Sequence, residues 1–123
     1  MKKSFDERFL RHLGIMSPEQ QELIKKTSVA IGGLGLGGSV FINLVRMGFE
    51  KFNVADPDTY ETSNINRQRL AKDSNVSRRK DESLLDEAYD INPNIKVRCF
   101  KDGVNEDNVR FFLKDVDLTL IHI

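Results

Sequence analysis

The sequence predicts an α/β fold, an open and mainly parallel sheet with helices on its faces. Two observations carry this. Short apolar runs at Val29-Ala30-Ile31, Phe52-Asn53-Val54-Ala55, Lys96 to Phe100 and Val116 to Ile123 read as strands, and stretches of helical periodicity lie between them. The resulting order, β-α-β-α-β-α-β, places a helix between each pair of successive strands, as parallel pairing requires.

The elements follow in turn. Phe5, Phe9, Leu10 and Leu13 recur at near-helical spacing, Gly14 interrupts, and Ser17-Pro18-Glu19-Gln20 supplies a cap, a first-position proline and a glutamine for a second helix. Residues 5 to 25 therefore read as helical, with Leu23 and Ile24 as the docking side chains. The first strand runs directly into Gly32-Gly33-Leu34-Gly35-Leu36-Gly37-Gly38, after which Val40, Phe41, Leu44, Val45 and Met47 mark a helix ending near Gly48. The second strand stops at Asp56-Pro57-Asp58. Residues 59 to 76 lack sustained periodicity and read as a loop. A helix follows over roughly 78 to 91, with Leu84, Leu85 and Ala88 inward, and Asn92-Pro93-Asn94 ends it. A short helix over Val109 to Leu113 precedes the fourth strand. Two parts result: an N-terminal helical segment, 1–27, and the sheet-bearing part, 28–123.

Composition bounds the function. The chain has 123 residues with 19 basic and 19 acidic side chains, so no net field draws it to nucleic acid or an anionic membrane, and any anion site has to be local. A hydrophobic fraction of 39% suffices for one small core. One cysteine, Cys99, excludes an internal disulfide framework and a cysteine-rich metal site; between Arg98 and Phe100 it reads as a small hydrophobe. His12 and His122 have no companions that would make them ligands. No segment approaches the ~18 apolar residues of a membrane span, and the charged N-terminus does not read as a secretory signal, which leaves a cytoplasmic placement.

The chemistry starts at the glycines. Gly33-x-Gly35-x-x-Gly38 has the phosphate-loop spacing, with an apolar strand before it, a helix after it, and Asp56 twenty-three residues beyond Gly33. The first glycine allows a tight turn, the second lets a phosphate approach the backbone, and the third lets helix and strand pack closely; the helix N-terminus offers N–H groups and partial positive charge. Asp56, ending the second strand, suits a ribose hydroxyl. This makes the sheet Rossmann-like. The plainer alternative is a glycine turn with Asp56 capping a loop. Further on, Asn64, Arg67, Gln68 and Lys80 add amide groups, a planar cationic fork and a point charge of the kind a triphosphate needs.

This ordered set resembles the adenylyltransferase domain of the ubiquitin-activating-like superfamily, whose bacterial members include the MoeB, ThiF and HesA proteins. Arg8-Phe9-Leu10-Arg11 matches its N-terminal Arg-aromatic-x-Arg element, and Gly33, Gly35 and Gly38 match its loop. Asp56 and Asp58 match its acidic pair, Asn64, Arg67 and Gln68 its Asn-x-x-Arg-Gln motif, Lys80 its lysine, and Asn92-Pro93 its pre-strand turn. The resemblance covers about residues 8 to 120. It implies ATP and Mg²⁺ as cofactors, with Asp56 on the ribose, Asn64, Arg67 and Lys80 on phosphates, and Arg11 reaching the active site of a dimer partner. It also implies a carboxylate acceptor, such as the C-terminus of a ubiquitin-like or sulfur-carrier protein, activated as an acyl adenylate.

Two departures stand out. Leu36 follows Gly35 where the family has glycine, and could crowd a phosphate. Ile121 stands where the family's fourth strand carries an aspartate, and a magnesium-binding aspartate is expected beyond Ile123, so no metal residue is assigned. On this pattern the chain reads as the N-terminal part of such a domain, truncated after the fourth strand and catalytically incomplete, whether a short reading frame, a frameshift or a fragment. A non-catalytic nucleotide-binding module that partners a full-length relative and an NAD- or FAD-binding Rossmann domain remain as alternatives; Arg67-Gln68 favours ATP.

Overall fold

The computed structural model describes residues 5–121, and its centre is a four-stranded parallel sheet in the order β3-β2-β1-β4. The strands are β1 (Ser28–Gly32), β2 (Lys51–Ala55), β3 (Lys96–Phe100) and β4 (Leu118–Ile121). The helices are α1 (Pro18–Lys26), α2 (Leu36–Met47), α3 (Lys80–Ile91) and α4 (Val109–Leu113). This is the Rossmann-like α/β architecture that the alternating pattern predicts. The chain steps outward from β1 to β2 to β3, then crosses back to place β4 on the other side of β1. Ligands bind at that reversal in open sheets of this kind, beyond the carboxyl ends of the strands. There Gly32 lies beside both Ala55 and Ile121.

The alternation of side chains sorts the sheet into two faces. Val29, Ile31, Phe52 and Val54 form the main core with Phe41 and Val45 of α2 and Leu84 and Ala88 of α3, all 2% exposed or less. Each large side chain buried there contributes ~1.5–3 kcal/mol, and Phe41 meets Phe52 edge-to-face with centroids 4.8 Å apart. The other face carries a smaller cluster of Ala30, Ala55 and Phe112, with Phe100 against it. The Asn53 amide donates to the Phe112 carbonyl at 2.8 Å, tying α4 to β2.

The N-terminal segment departs from expectation in three ways. Glu7–His12 is a 3-10 helix, and of its side chains Phe9 is the buried one, while Leu10 and Leu13 are exposed. The capping box of α1 forms as expected, with Gln20 N–H donating to Ser17 Oγ at 3.1 Å and Ser17 N–H to Gln20 Oε1 at 2.8 Å. Yet Leu23 is 67% exposed, and Gln21 is the buried docking residue. Its Nε2 donates to the Met47 carbonyl at 2.9 Å while its Oε1 meets His12 Nδ1 at 2.8 Å, so a polar chain fastens this segment to the end of α2. That polar docking is what periodicity of apolar residues does not reveal.

Elsewhere the boundaries follow the sequence closely. α2 ends on Gly48 at φ +107°, the left-handed C-cap. Residues 59–76 are irregular, with 3-10 turns at Thr62–Asn64 and Asp73–Asn75, each closed by an asparagine Oδ1 accepting a backbone N–H. β4 starts at Leu118 because Asp117 is engaged at the strand entrance: its Oδ2 accepts from Ser28 N–H, and its own N–H donates to the Ser28 carbonyl. His122 and Ile123 lie outside the described residues.

Candidate functional site

The glycine loop is shaped from beneath by Asp56. Gly33 takes φ +87°, which makes the turn out of β1 possible, and its N–H donates to the Ala55 carbonyl at 2.9 Å. The next N–H, of Leu34, donates to Asp56 Oδ2 at 2.7 Å, while Asp56 Oδ1 accepts from Asp58 N–H at 2.8 Å. Asp56 is buried and thus fixes loop and strand end together, the plainer of its two sequence-based roles. Each oxygen keeps a further acceptor site, so a hydroxyl ligand remains chemically accommodated.

The other glycines each have a close neighbour of their own. The space that a Cβ would fill at Gly35 is occupied by the Gln68 amide, whose Nε2 would lie 3.0 Å away. Gly37 is the residue packed on β1, with Ile31 Cγ2 at 3.0 Å from a hypothetical Cβ. Gly38 serves helix-to-helix packing, since its Cβ would come within 2.8 Å of Leu84 Cδ1 on α3. α2 begins after Gly35 with no side-chain cap, which leaves first-turn N–H groups available to an anion.

Two clefts meet at Gly33. One, about 280 Å³, is lined by Gly33, Gly35, Leu36, Arg67 and Gln68. The other, about 380 Å³, is lined by Gly32, Gly33, Asp56, Asp58, Asp102, Gly103, Val104 and Ile121 among others. Small-ligand pockets run to roughly 300–1,000 Å³, so the pair has room for a nucleotide. Their charges differ. The second is acidic and repels phosphate while offering acceptors to hydroxyls; the first combines the Arg67 guanidinium with the open end of α2.

Arg67 is exposed, and its Nη1 donates to the Ser63 carbonyl at 2.9 Å and to Asn66 Oδ1 at 3.0 Å, a posture set by its own loop with no carboxylate within 4.0 Å among the described residues. Leu36 is 55% exposed at the cleft wall. Gln68 Oε1 is buried without a hydrogen-bond partner, and half a turn of the amide would present its NH₂ there instead. Asn64 is buried as a loop clasp: its Oδ1 accepts from Glu61 N–H, and its carbonyl accepts from Arg67 and Gln68 N–H. It positions the Arg-Gln pair.

Lys80 opens α3 and is 6% exposed, with no carboxylate within 4.0 Å among the described residues. The basic run Arg78-Arg79-Lys80 therefore splits. Arg78 pairs with Asp86 at 2.7 Å on the surface, while Arg79 grips buried Asp81 at 3.0 Å and donates to the carbonyls of Asp56 and Lys101. Those contacts hold both guanidinium groups above their ordinary pKa. Arg79, which no motif flags, clamps the carboxyl ends of β2 and β3 and so supports the acidic cleft.

Arg11 is not brought to this site. It is exposed on the 3-10 segment, which docks at the Gly48 end of α2, and the 12 residues of that helix separate it from the glycine loop by roughly 18 Å. Cys99 is half-buried in β3, and burial pushes its thiol up, which suits a packing role. Among the described residues no group of three or more His, Cys, Asp or Glu could hold a metal ion.

Comparison with known proteins agrees with this fold. The model of the ThiF family matches residues 8–121. The chain is 31% identical over 105 residues to the adenylyltransferase and sulfurtransferase UBA4 of Candida albicans, covering 85% of this chain and 24% of that protein. It is 32% identical over 116 residues to the probable adenylyltransferase/sulfurtransferase MoeZ of Mycobacterium tuberculosis, covering 92% and 30%. Among solved structures, E. coli tRNA N6-threonylcarbamoyladenosine dehydratase, TcdA, superposes with a TM-score of 0.88 at 25% identity, over 95% of this chain and 50% of that one. E. coli MccB, solved with ATP, shares the fold at a TM-score of 0.83 over 96% of this chain and 37% of that one. The chain thus spans a quarter to a half of the length of these relatives. With the family model matched along nearly the whole chain and adenylyltransferases as relatives, the chain belongs to the ThiF family.

Proposed function

We propose that this chain is the ATP-binding portion of an adenylyltransferase that activates a carboxylate. The observation that carries the reading is the junction at Gly33 of an acid-lined cleft and a cation-lined cleft. It supports one orientation of ATP: ribose hydroxyls toward Asp56, with Asp58 beside them, and phosphates toward Gly35, Arg67, Gln68 and the first turn of α2. Lys80 supplies a second cation from the start of α3, and Asn64 holds the Arg67-Gln68 turn. In the complete reaction an acceptor carboxylate attacks the α-phosphorus and pyrophosphate leaves. What the described residues contribute is binding and charge: the cations and N–H groups draw electron density from the phosphates and orient them. The acceptor fits the class implied by the adenylyltransferase relatives, a ubiquitin-like or sulfur-carrier C-terminus, and the setting is cytoplasmic.

The placement of Arg11 at the far end of α2 supports its use in a second subunit of a homodimer, or in a full-length relative, with 1–27 as an arm and 28–123 as the nucleotide-binding part. With Ile121 standing where the resembled family carries an acid, the 123-residue chain is expected to bind ATP without catalysing ATP–pyrophosphate exchange.

Isothermal titration tests this. ATP should bind, and removing one charge-assisted phosphate contact, worth ~1.5–3 kcal/mol, should weaken it by roughly 10- to 100-fold in Arg67→Ala or Lys80→Ala. NAD displacing ATP at equal concentration, or Arg67→Ala leaving affinity unchanged, would overturn the reading. Pyrophosphate exchange by the 123-residue chain would overturn the claim of incompleteness.

A further inference from the structure

Lys80 poses a physical problem. Its stem is buried, the residue being 6% exposed, while its ammonium is not among the enclosed unpartnered atoms and so keeps access to solvent. A cation held so close to the interior is ordinarily paired with a carboxylate, yet none lies within 4.0 Å among the described residues. What does lie beside it is an aromatic face: Lys80 Nζ stands 5.7 Å from the centroid of Tyr60, itself 1% exposed. We infer that the Tyr60 ring seats the Lys80 ammonium where it emerges from the interior, holding it in place without neutralising it, so that the full charge is left for an anionic ligand.

The backbone around the pair is built to keep that relation. Tyr60 N–H donates to the Arg78 carbonyl at 2.9 Å, Ser77 N–H donates to the Tyr60 carbonyl at 2.8 Å, and Lys80 N–H donates to the Asp58 carbonyl at 3.0 Å. With the antiparallel bridge of Thr59 to Arg79, residues 58–60 and 77–80 form a short ladder that fixes the ring against the start of α3. The hydroxyl plays no part in holding Tyr60, since it is buried with no hydrogen-bond partner. The ring is the working group. A carboxylate in its place would bind the lysine more firmly and would also have to be displaced by phosphate. The quadrupole of an aromatic face attracts the cation and leaves it charged. Tyr60 is a positioning residue on this account.

The inference rests on Lys80 being a phosphate-binding residue, and two separate readouts tell its failure from failure of that reading. In nucleotide-free protein carrying ¹³C-lysine, the Lys80 ε-methylene protons should resonate upfield of their random-coil position through the ring current. Tyr60→Leu should return them to it, and Tyr60→Phe should keep them upfield. By titration with ATP, Tyr60→Leu should weaken binding roughly 2- to 10-fold, the affinity equivalent of a partly desolvated cation–π contact, and Tyr60→Phe should rescue it. A random-coil Lys80 signal in the unaltered chain, or full ATP affinity in a folded Tyr60→Leu, overturns the seat. Should Lys80→Ala bind ATP as well as the unaltered chain while the ring-current shift is present, the seat stands and the phosphate reading falls.

Discussion

Tyr60 carries a second consequence through its hydroxyl. Burial pushes the phenol up from 10.0 to about 12, and the carboxylates of Glu87 and Asp56 push in the same direction. Between those two values the unfolded chain releases the tyrosine proton and the native chain keeps it. Stability contributed by the protonated phenol is therefore present below pH 10 and is lost as pH rises toward about 12. Urea denaturation across that range should show the unfolding free energy falling with pH. Tyr60→Phe has no proton to lose and no orphaned hydroxyl to bury, so its curve should be flatter and its stability at neutral pH equal or higher. A slope unchanged in Tyr60→Phe would assign the loss to other groups. The same residue scale separates the two kinds of motif member: Asp56 and Asn64 spend hydrogen bonds on the protein's own backbone, whereas Arg67 and Lys80 keep their charge free of carboxylates.

At the scale of elements, the joint between the N-terminal segment and α2 depends on Gly48. Its φ of +107° is strained for any L side chain, and a Cβ there would collide with Gln21 Nε2, the atom that donates to the Met47 carbonyl. Gly48→Ala should therefore lower stability by about 1–3 kcal/mol, measured by thermal unfolding, whereas Gly14→Ala meets no atom within 4 Å and should show the backbone strain of φ +105° alone. Equal losses in the two would remove the Gln21 collision from the account. Elements resting on apolar periodicity were legible in the sequence: β3 over Lys96–Phe100 and α4 over Val109–Leu113 fall where the pattern puts them. The glycine motif was legible as a loop between strand and helix, because spacing records where glycine is needed. It did not record why, since Gln68 at Gly35 and Leu84 at Gly38 are neighbours distant in sequence. The docking face of the N-terminal segment was not legible for a related reason: Gln21 docks through hydrogen bonds, and Leu23, apolar and at helical spacing, faces solvent.

For the whole molecule, the two faces of the sheet are unequally covered, and this sets its behaviour in solution. α2 and α3 bury one face, while the other is covered by the five residues of α4. β4 forms one edge of the sheet, with Leu118 43% and Ile121 62% exposed, and Phe111 on nearby α4 is 58% exposed. Unpaired strand edges with apolar side chains template pairing with another chain, whereas the opposite edge, β3, carries exposed Lys96 and Arg98, the kind of charge that blocks such pairing. The 123-residue chain should therefore associate in a concentration-dependent way through β4, as read by sedimentation velocity. Leu118→Lys places a charge on that edge at its amino end, away from Gly33, and should shift the population toward monomer while leaving ATP affinity within about 2-fold, a difference of ~0.4 kcal/mol. A change of charge on β3, as in exposed Lys96→Glu, should not relieve association. If Leu118→Lys leaves the oligomer distribution unchanged, β4 is not the contact. In that case the polar N-terminal segment carrying Arg11 becomes the surface to test.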